Sequence, residues 1–312
     1  MSFRQLLASA APERETVLTV GVFDGVHQGH RHLLRQLIKR AYPDYLPGVV
    51  TFINHPANVL RPDHPVSYIT TPQQKVRLIK ECGIELVVSL EFTPELSQVS
   101  ARDFTIMLVE LLRMKGLVVG PDFALGRNRE GNTDFLRGLG EEVGFWVETV
   151  EPLILDGVLV RSRRIRQTIT QGDVATGNRL LGRQFYLSGK VIKGDQRGRE
   201  LGFPTANLAT APGMMLPGDG IYASWAIISG VRHPSATSIG LRPTFGLTER
   251  LVEVYVMDFN ADLYGQEIGV EFVKKLRNQE TFSTVEALVE QVDRDVKQAR
   301  LVLAHDGGTD LG

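Results

Sequence analysis

One cysteine, Cys82, stands among 312 residues, which excludes an intramolecular disulfide, a paired-thiol redox site and a cysteine-built zinc cluster. Such usage suits a reducing cytoplasm, where the protein is expected to work. An excess of either charge is also missing. Thirty-five Lys and Arg meet 36 Asp and Glu, leaving a formal net charge of −1, so no global field points to nucleic acid or an anionic membrane as a partner. Any basic site must be local. No uncharged apolar run reaches the ~18 residues a membrane span needs, and Met1-Ser2-Phe3-Arg4 does not open a basic start with an apolar core behind it. Neither a membrane protein nor a secreted one is expected. Internal repeats and low-complexity tracts are absent too, and nothing sets an oligomeric state. What remains is ample apolar content, 43%, in a chain long enough to bury two cores.

From residue 16 to about 150, apolar runs at 17–20, 49–52, 84–90, 117–119 and 145–150 alternate with helical periodicity over 30–40, 72–82 and 101–114. This order predicts an α/β domain, a parallel sheet with helices on both faces. Helix starts are marked at Thr71-Pro72-Gln73-Gln74 and at Ser100-Ala101-Arg102-Asp103, with Gly83 as a stop. An Arg-rich stretch then leads into a helix pair ending near Gly182, and the domain boundary is placed there, giving domains 1–182 and 183–312. Beyond it, strand-like runs at 185–193, 221–229, 236–241, 251–259 and 268–276 are punctuated by Gly and Pro. They predict an antiparallel β-barrel. A last helix opens at Ser283-Thr284-Val285-Glu286 and carries Val285, Leu288, Val289, Val292, Val296 and Ala299 in one stripe, expected to pack on the barrel.

Chemistry concentrates first in Gly21-Val22-Phe23-Asp24-Gly25-Val26-His27-Gln28-Gly29-His30-Arg31, where a strand becomes a helix. A helix start offers free N–H groups and a positive dipole to phosphate. Gly29 permits close backbone approach, while His27 and His30 can stabilise charge developing on a departing pyrophosphate. The plainer alternative is a polar cap with surface histidines. Three segments near strand ends complete a nucleotide pocket at positions where open α/β sheets bind ligands: Asn54-His55-Pro56, Pro121-Asp122-Phe123 and Ser162-Arg163-Arg164-Ile165-Arg166.

In the second half, residues 194–207 place three glycines among cations ahead of a rigid Pro204-Thr205-Ala206-Asn207. Converging N–H groups with Lys193 and Arg197 suit phosphate, in a loop expected to act as a lid over ATP. Thr205 and Asn207, two apart in extended chain, face the same way and suit a Mg²⁺ that keeps its other positions for water and ATP oxygens. A turn with local Thr and Asn bonds is the alternative. Glu253 sits in Leu251-Val252-Glu253-Val254-Tyr255-Val256, apolar on both faces, so the strand is expected to be buried. Burial raises a carboxyl's pKa toward the range of a general base acting on an alcohol. A structural Glu paired with Arg is the competing reading.

These residues together resemble the bacterial bifunctional riboflavin kinase/FAD synthetase family over nearly the whole chain. Gly21 to His30 looks like its adenylyltransferase signature. Gly202-Phe203-Pro204-Thr205-Ala206-Asn207, Gly240-Leu241-Arg242-Pro243-Thr244-Phe245 and the 253–259 run look like its kinase signatures. The resemblance implies a Rossmann-like nucleotidyltransferase domain that moves AMP from ATP to FMN, and a barrel that phosphorylates riboflavin. It implies catalytic roles for Glu253, His27 and His30, and Mg²⁺ at Thr205 and Asn207. ATP would meet Gly21, Phe23, Asp24, Gly29, Asp122, Ser162 and Arg166 in the first domain, and Lys193, Gly198, Gly202, Pro204, Thr205 and Asn207 in the second. Flavin contacts fall to Asn54, His55 and Arg242. Riboflavin, FMN and ATP are the partners implied; nucleic acid and membrane are not.

Departures lie in the first domain. Arg161-Ser162-Arg163-Arg164-Ile165-Arg166 replaces two hydroxyls of the usual Ser-Ser-Thr run with arginines, Asn54 stands for a proline, and Leu125 for an aromatic. They motivate an alternative in which the kinase works beside a weakened or inactive adenylyltransferase domain. A flavin carrier using ATP only as effector, and a nucleic-acid nucleotidyltransferase, are less well supported by intact Glu253, Thr205 and Asn207 and by the near-neutral charge.

Overall fold

Thr16 to Val20 are buried at every position, the signature of a strand covered on both faces. The computed structural model describes residues 2–194, 201–244 and 247–306, and the chain divides into two compact units, Met1–Ser162 and Arg163–Gly312.

In the first unit, β1 (Thr16–Val20), β2 (Leu46–Phe52), β3 (Leu86–Leu90), β4 (Met114–Val119) and β7 (Trp146–Thr149) form a parallel sheet in the order β3-β2-β1-β4-β7. Successive strand residues point to opposite faces. Val17 packs with Leu34 and Leu37 of α2 (Gln28–Ala41) and with Leu78 and Ile79 of α4 (Pro72–Glu81). Leu18 and Val20 pack instead with Leu7 of α1 (Phe3–Ser9), Phe104 and Leu108 of α6 (Ala101–Leu112) and Leu136 of α7 (Thr133–Val143). The sheet grows from β1 through β2 to β3, then restarts on the other side with β4. The β1/β4 gap is therefore a switch point, where a crevice opens at the carboxyl edge.

The expected caps form: Thr71 accepts from Gln74 N at 3.2 Å and Ser100 from Asp103 N at 3.0 Å. The 101–114 helix is shorter than expected, since Arg113 turns left-handed (φ 53°) and Met114 starts β4. Helix α7 is not among the expected helices; Gly138 and Gly140 weaken its propensity. Gly140 is required by packing, as a Cβ there would sit 2.3 Å from Phe145 O. Short pieces fill the connections: α3 (Pro56–Leu60), α5 (Pro94–Ser97), and the two-residue strand pairs β5 (Ala124–Leu125) with β6 (Gly131–Asn132) and β8 (Ile154–Leu155) with β9 (Val158–Leu159).

Helix α8 (Ser162–Thr170) starts at the last residue of the first unit and runs into the second, where α9 (Val174–Leu181) follows it. This pair is anchored to the barrel, for Asn178 donates to Phe272 O at 2.7 Å and accepts from Phe185 N at 2.7 Å. By packing it thus groups with the residues after 183. Six antiparallel strands close the barrel in the order β10-β11-β14-β13-β12-β15: β10 (Phe185–Ile192), β11 (Thr205–Thr210), β12 (Gly220–Ile228), β13 (Val231–Thr244), β14 (Leu247–Val256) and β15 (Glu267–Arg277). Phe185, Tyr222 and Phe272 are its largest fully buried side chains, with Phe272 ringed by the other two at 6.0 and 5.4 Å. The terminal helix α10 (Val285–Asp306) lays Ala299 and Leu303 on Ala223, Ala236 and Met257 of the barrel wall.

Candidate active sites

The loop leaving β1 reaches α2 through left-handed backbone at Phe23 (φ 51°), Gly25 (φ 85°) and Val26 (φ 37°). Positive φ at a β-branched residue is costly and persists only where the surroundings fix it. Asp24, 3% exposed, does the fixing. Its carboxylate accepts from Ile69 N (3.0 Å), Thr70 N (3.1 Å) and Thr70 Oγ1 (3.2 Å), and Gly25 N donates to Thr70 Oγ1 at 3.1 Å. Asp24, expected to meet ATP, thus spends its carboxylate on residues 69–70 and anchors the loop.

His27 is the N-cap of α2, 4% exposed, and its Nδ1 accepts from His30 N at 3.2 Å. An accepting Nδ1 leaves the proton of the neutral ring on Nε2, which is a donor suited to phosphate. The His30 ring stacks on it at 3.6 Å. A Cβ at Gly29 would lie 2.9 Å from Val160 O, so only glycine lets the 160–162 segment approach; Ser162 Oγ donates to Asp24 O at 3.1 Å in the same place. At Gly21 a Cβ would press the Phe23 ring at 3.0 Å. After β2, His55 repeats the device: it caps α3 with Nδ1 accepting from Ala57 N at 3.1 Å. Asn54 beside it spends its amide on both backbone groups of Phe92, at 2.8 and 2.7 Å. It clamps the ends of two strands together. After β4, exposed Asp122 pairs with Arg161 at 2.5 Å, and its carbonyl accepts from Arg129 at 3.0 Å. Arg166 falls in the second compact unit.

On the barrel, Glu253 corrects its expectation. Val252, Val254 and Val256 are buried, but Leu251, Glu253 and Tyr255 are half-buried and line a cavity of about 720 Å³. The strand is therefore buried in the barrel on one face and opens to that cavity on the other. Asn207 lies opposite Glu253 in the β11/β14 ladder, and Thr205 opposite Tyr255. Directly opposed residues share a face, and Thr205, Asn207 and Glu253 all line this one cavity. Asn207, 8% exposed, has no hydrogen-bond partner at its buried Oδ1 among the described residues, and a Cβ at Gly194 would strike its Nδ2 at 2.3 Å. Phe203 meets Tyr255 edge-on at 5.4 Å. The Arg–carboxylate pair weighed for Glu253 exists elsewhere on the cavity wall: Arg277 grips Asp295, 4% exposed, through Nε (2.9 Å) and Nη2 (2.7 Å). A second cavity, about 390 Å³, shares Thr205 and is lined by Pro204, Ala206, Phe259, Asp262 and Tyr264. Lys193 is exposed and lines neither cavity, and Gly202 turns at φ +84°. Arg197, Gly198 and most of the expected lid lie outside the described residues, as does the Arg242 side chain; its backbone pairs with Glu249 in the β13/β14 ladder.

Residues 9–164 match the FAD synthetase family model and residues 181–303 the riboflavin kinase model. Across both, the chain is 36% identical over 295 residues to the bifunctional riboflavin kinase/FMN adenylyltransferase of Escherichia coli (strain K12), 94% of each chain. The chain belongs to the bifunctional riboflavin kinase/FMN adenylyltransferase family. The same-named protein of Pseudomonas fluorescens is 36% identical over 302 residues, 96% of each chain. A solved structure described as a macrolide-efflux protein from Streptococcus pneumoniae is 30% identical, with a TM-score of 0.87 over 93% of this chain and 95% of that one. No helix among the described residues is long and apolar enough to cross a membrane.

For a riboflavin kinase/FMN adenylyltransferase, this chain's departures now have physical content. The FAD synthetase match runs across the altered 161–163 segment, and Arg161 is engaged by Asp122. Leu125 is 8% exposed and packs within the core around α6. Two features were missed from sequence. The smaller cavity is built by a loop after β14 without a charged motif. Lys75 is only 5% exposed, and its Nζ donates to Val22 O at 3.1 Å and to Phe52 O. Its one signal was spacing, three and four residues before the buried Leu78 and Ile79.

Proposed function

We propose that the chain makes FMN and then FAD, each step using one ATP. The barrel transfers the γ-phosphoryl group of ATP to the riboflavin 5′-hydroxyl, releasing ADP, and the first unit transfers AMP from a second ATP to the FMN phosphate, releasing pyrophosphate. The observation that carries the kinase reading is the meeting of Glu253, Thr205 and Asn207 on one cavity wall. Glu253 accepts the hydroxyl proton as that oxygen attacks phosphorus. The two cavities that share Thr205 give the two substrates separate places, with riboflavin in the larger, ATP in the smaller, and the reacting groups meeting at Thr205. The Asn207 oxygen, without a partner among the described residues, and the Thr205 hydroxyl on the same cavity wall fit Mg²⁺, which takes neutral oxygens and keeps positions for phosphate and water. Bound there, the ion would neutralise charge on the transferred phosphate.

In the first unit, the Nε2–H of His27 with His30 at the start of α2 stabilises negative charge on the departing pyrophosphate, and His55 faces the FMN side from the end of β2. Arg161 and Ser162 contribute to the triphosphate site, with Asp122 setting the Arg161 guanidinium. Cys82, the lone thiol, agrees with work in the cytoplasm.

Chromatographic separation of flavins after incubation with Mg²⁺–ATP tests both halves. Riboflavin yields FMN, and FMN yields FAD; accumulation of FMN without FAD would overturn the role of the first unit. Glu253→Gln lowers FMN formation by about 100-fold or more and leaves FAD formation from supplied FMN intact.

A further inference from the structure

We propose that Lys75 is a positioning residue for adenylyl transfer, holding the loop that carries His27 and His30 at a set distance from the loop that carries His55. The inference rests on the adenylyltransferase reading of the first unit. Helix α4 delivers Lys75 beneath the carboxyl edge of the sheet, where its Nζ donates to Val22 O at 3.1 Å and to Phe52 O. Val22 lies five residues before His27, and Phe52, the last residue of β2, three before His55. One buried ammonium thus ties together the chain segments that feed both histidine caps. Thr51 Oγ1 adds a donor to Val22 O at 3.0 Å, and Asp24 holds the other side of the loop through Ile69 and Thr70. The segment between these anchors contains the left-handed Phe23, Gly25 and Val26, a conformation that relaxes unless held from several sides.

A lysine is an expensive way to fill this position. It points into the face that buries Leu78 and Ile79, where an apolar side chain would pack without desolvating a charge. Burial lowers the Lys75 ammonium to about 8, with the opposing charge of Asp24 holding it up. Retaining a charge at such a site points to what it holds, since Nζ supplies donors that reach two carbonyls at once.

The test uses the full chain, with kinase activity as the control for the second unit and FMN binding with the thermal melt of the first unit as the control for the first. In Lys75→Met, FMN formation from riboflavin stays at the wild-type rate, while kcat for FAD formation falls about 100-fold with KM for ATP and FMN changed less than about threefold. Lys75→Arg, which keeps the charge and donors, recovers part of kcat. FMN binding to the first unit, followed by flavin fluorescence without ATP, is retained in both variants. A Lys75→Met chain with unchanged kcat overturns the inference. Loss of FMN binding in step with rate also overturns it, in favour of a merely structural lysine. A wild-type chain that forms no FAD refutes the adenylyltransferase reading itself.

Discussion

His27 performs two tasks with two nitrogens. Nδ1 caps a helix and Nε2 is left to carry the proton, so structural and chemical roles separate by substitution. His27→Ala removes both, costing about 1 kcal/mol of stability for the cap and about 100-fold or more in FAD formation for the donor. His27→Ser restores a capping oxygen without a donor at the Nε2 position: its melting temperature returns toward wild type while FAD formation stays low. Lys75 makes a proton-linked prediction. Its folded pKa of about 8 lies below the ordinary 10.5, so between these values the unfolded chain binds more protons than the folded one and stability rises with pH. The cost, about 3 kcal/mol, is fully present below pH 8 and is relieved toward pH 10.5. Between about pH 7.5 and about pH 9.5, the wild-type Tm therefore gains on that of Lys75→Met. The residue types at the site were readable because histidine beside glycine at a helix entrance, or Thr and Asn two apart, states its chemistry locally. Lys75 was not, since a lysine on an amphipathic helix is ordinarily on the solvated side and its burial depends on two carbonyls brought from β1 and β2.

Among the elements, α10 closes one wall of the larger cavity, and the Arg277–Asp295 pair pins it to β15 with Gln291 donating to Asp295 at 2.9 Å. Removing one charge strands the other in a largely buried place. Asp295→Asn should destabilise the second unit by about 3 kcal/mol, read as a lower denaturation midpoint, and weaken riboflavin binding before it affects ATP. The parallel sheet and terminal helix were legible because their apolar periods are regular. Strand β11 was not, for Thr205-Ala206-Asn207-Leu208-Ala209-Thr210 carries little β-branched apolar content and follows a proline. Its pairing with β14 decides the site. Glu253 lies on an apolar strand as expected, but Leu251 and Tyr255 line the larger cavity together with Leu288, Val292 and Val296 of α10, away from the face that carries the buried Val252 and Val254.

At the scale of the molecule, the helix pair at 162–181 precedes the barrel in sequence yet is bonded to it through Asn178. A fragment spanning 163–312 should keep riboflavin kinase activity and melt cooperatively. One spanning 183–312 leaves Phe185 N and Phe272 O without their Asn178 partner and should melt lower, as circular dichroism would show. The two units also differ in how they end. The barrel closes on itself, leaving no strand with an unpaired side, whereas the open sheet stops at β3 and β7, whose outer backbone groups can template another chain. Self-association on heating or truncation should accordingly begin at the FAD-forming half, and solubility, more than catalysis, sets how far that half can be shortened or exchanged between relatives.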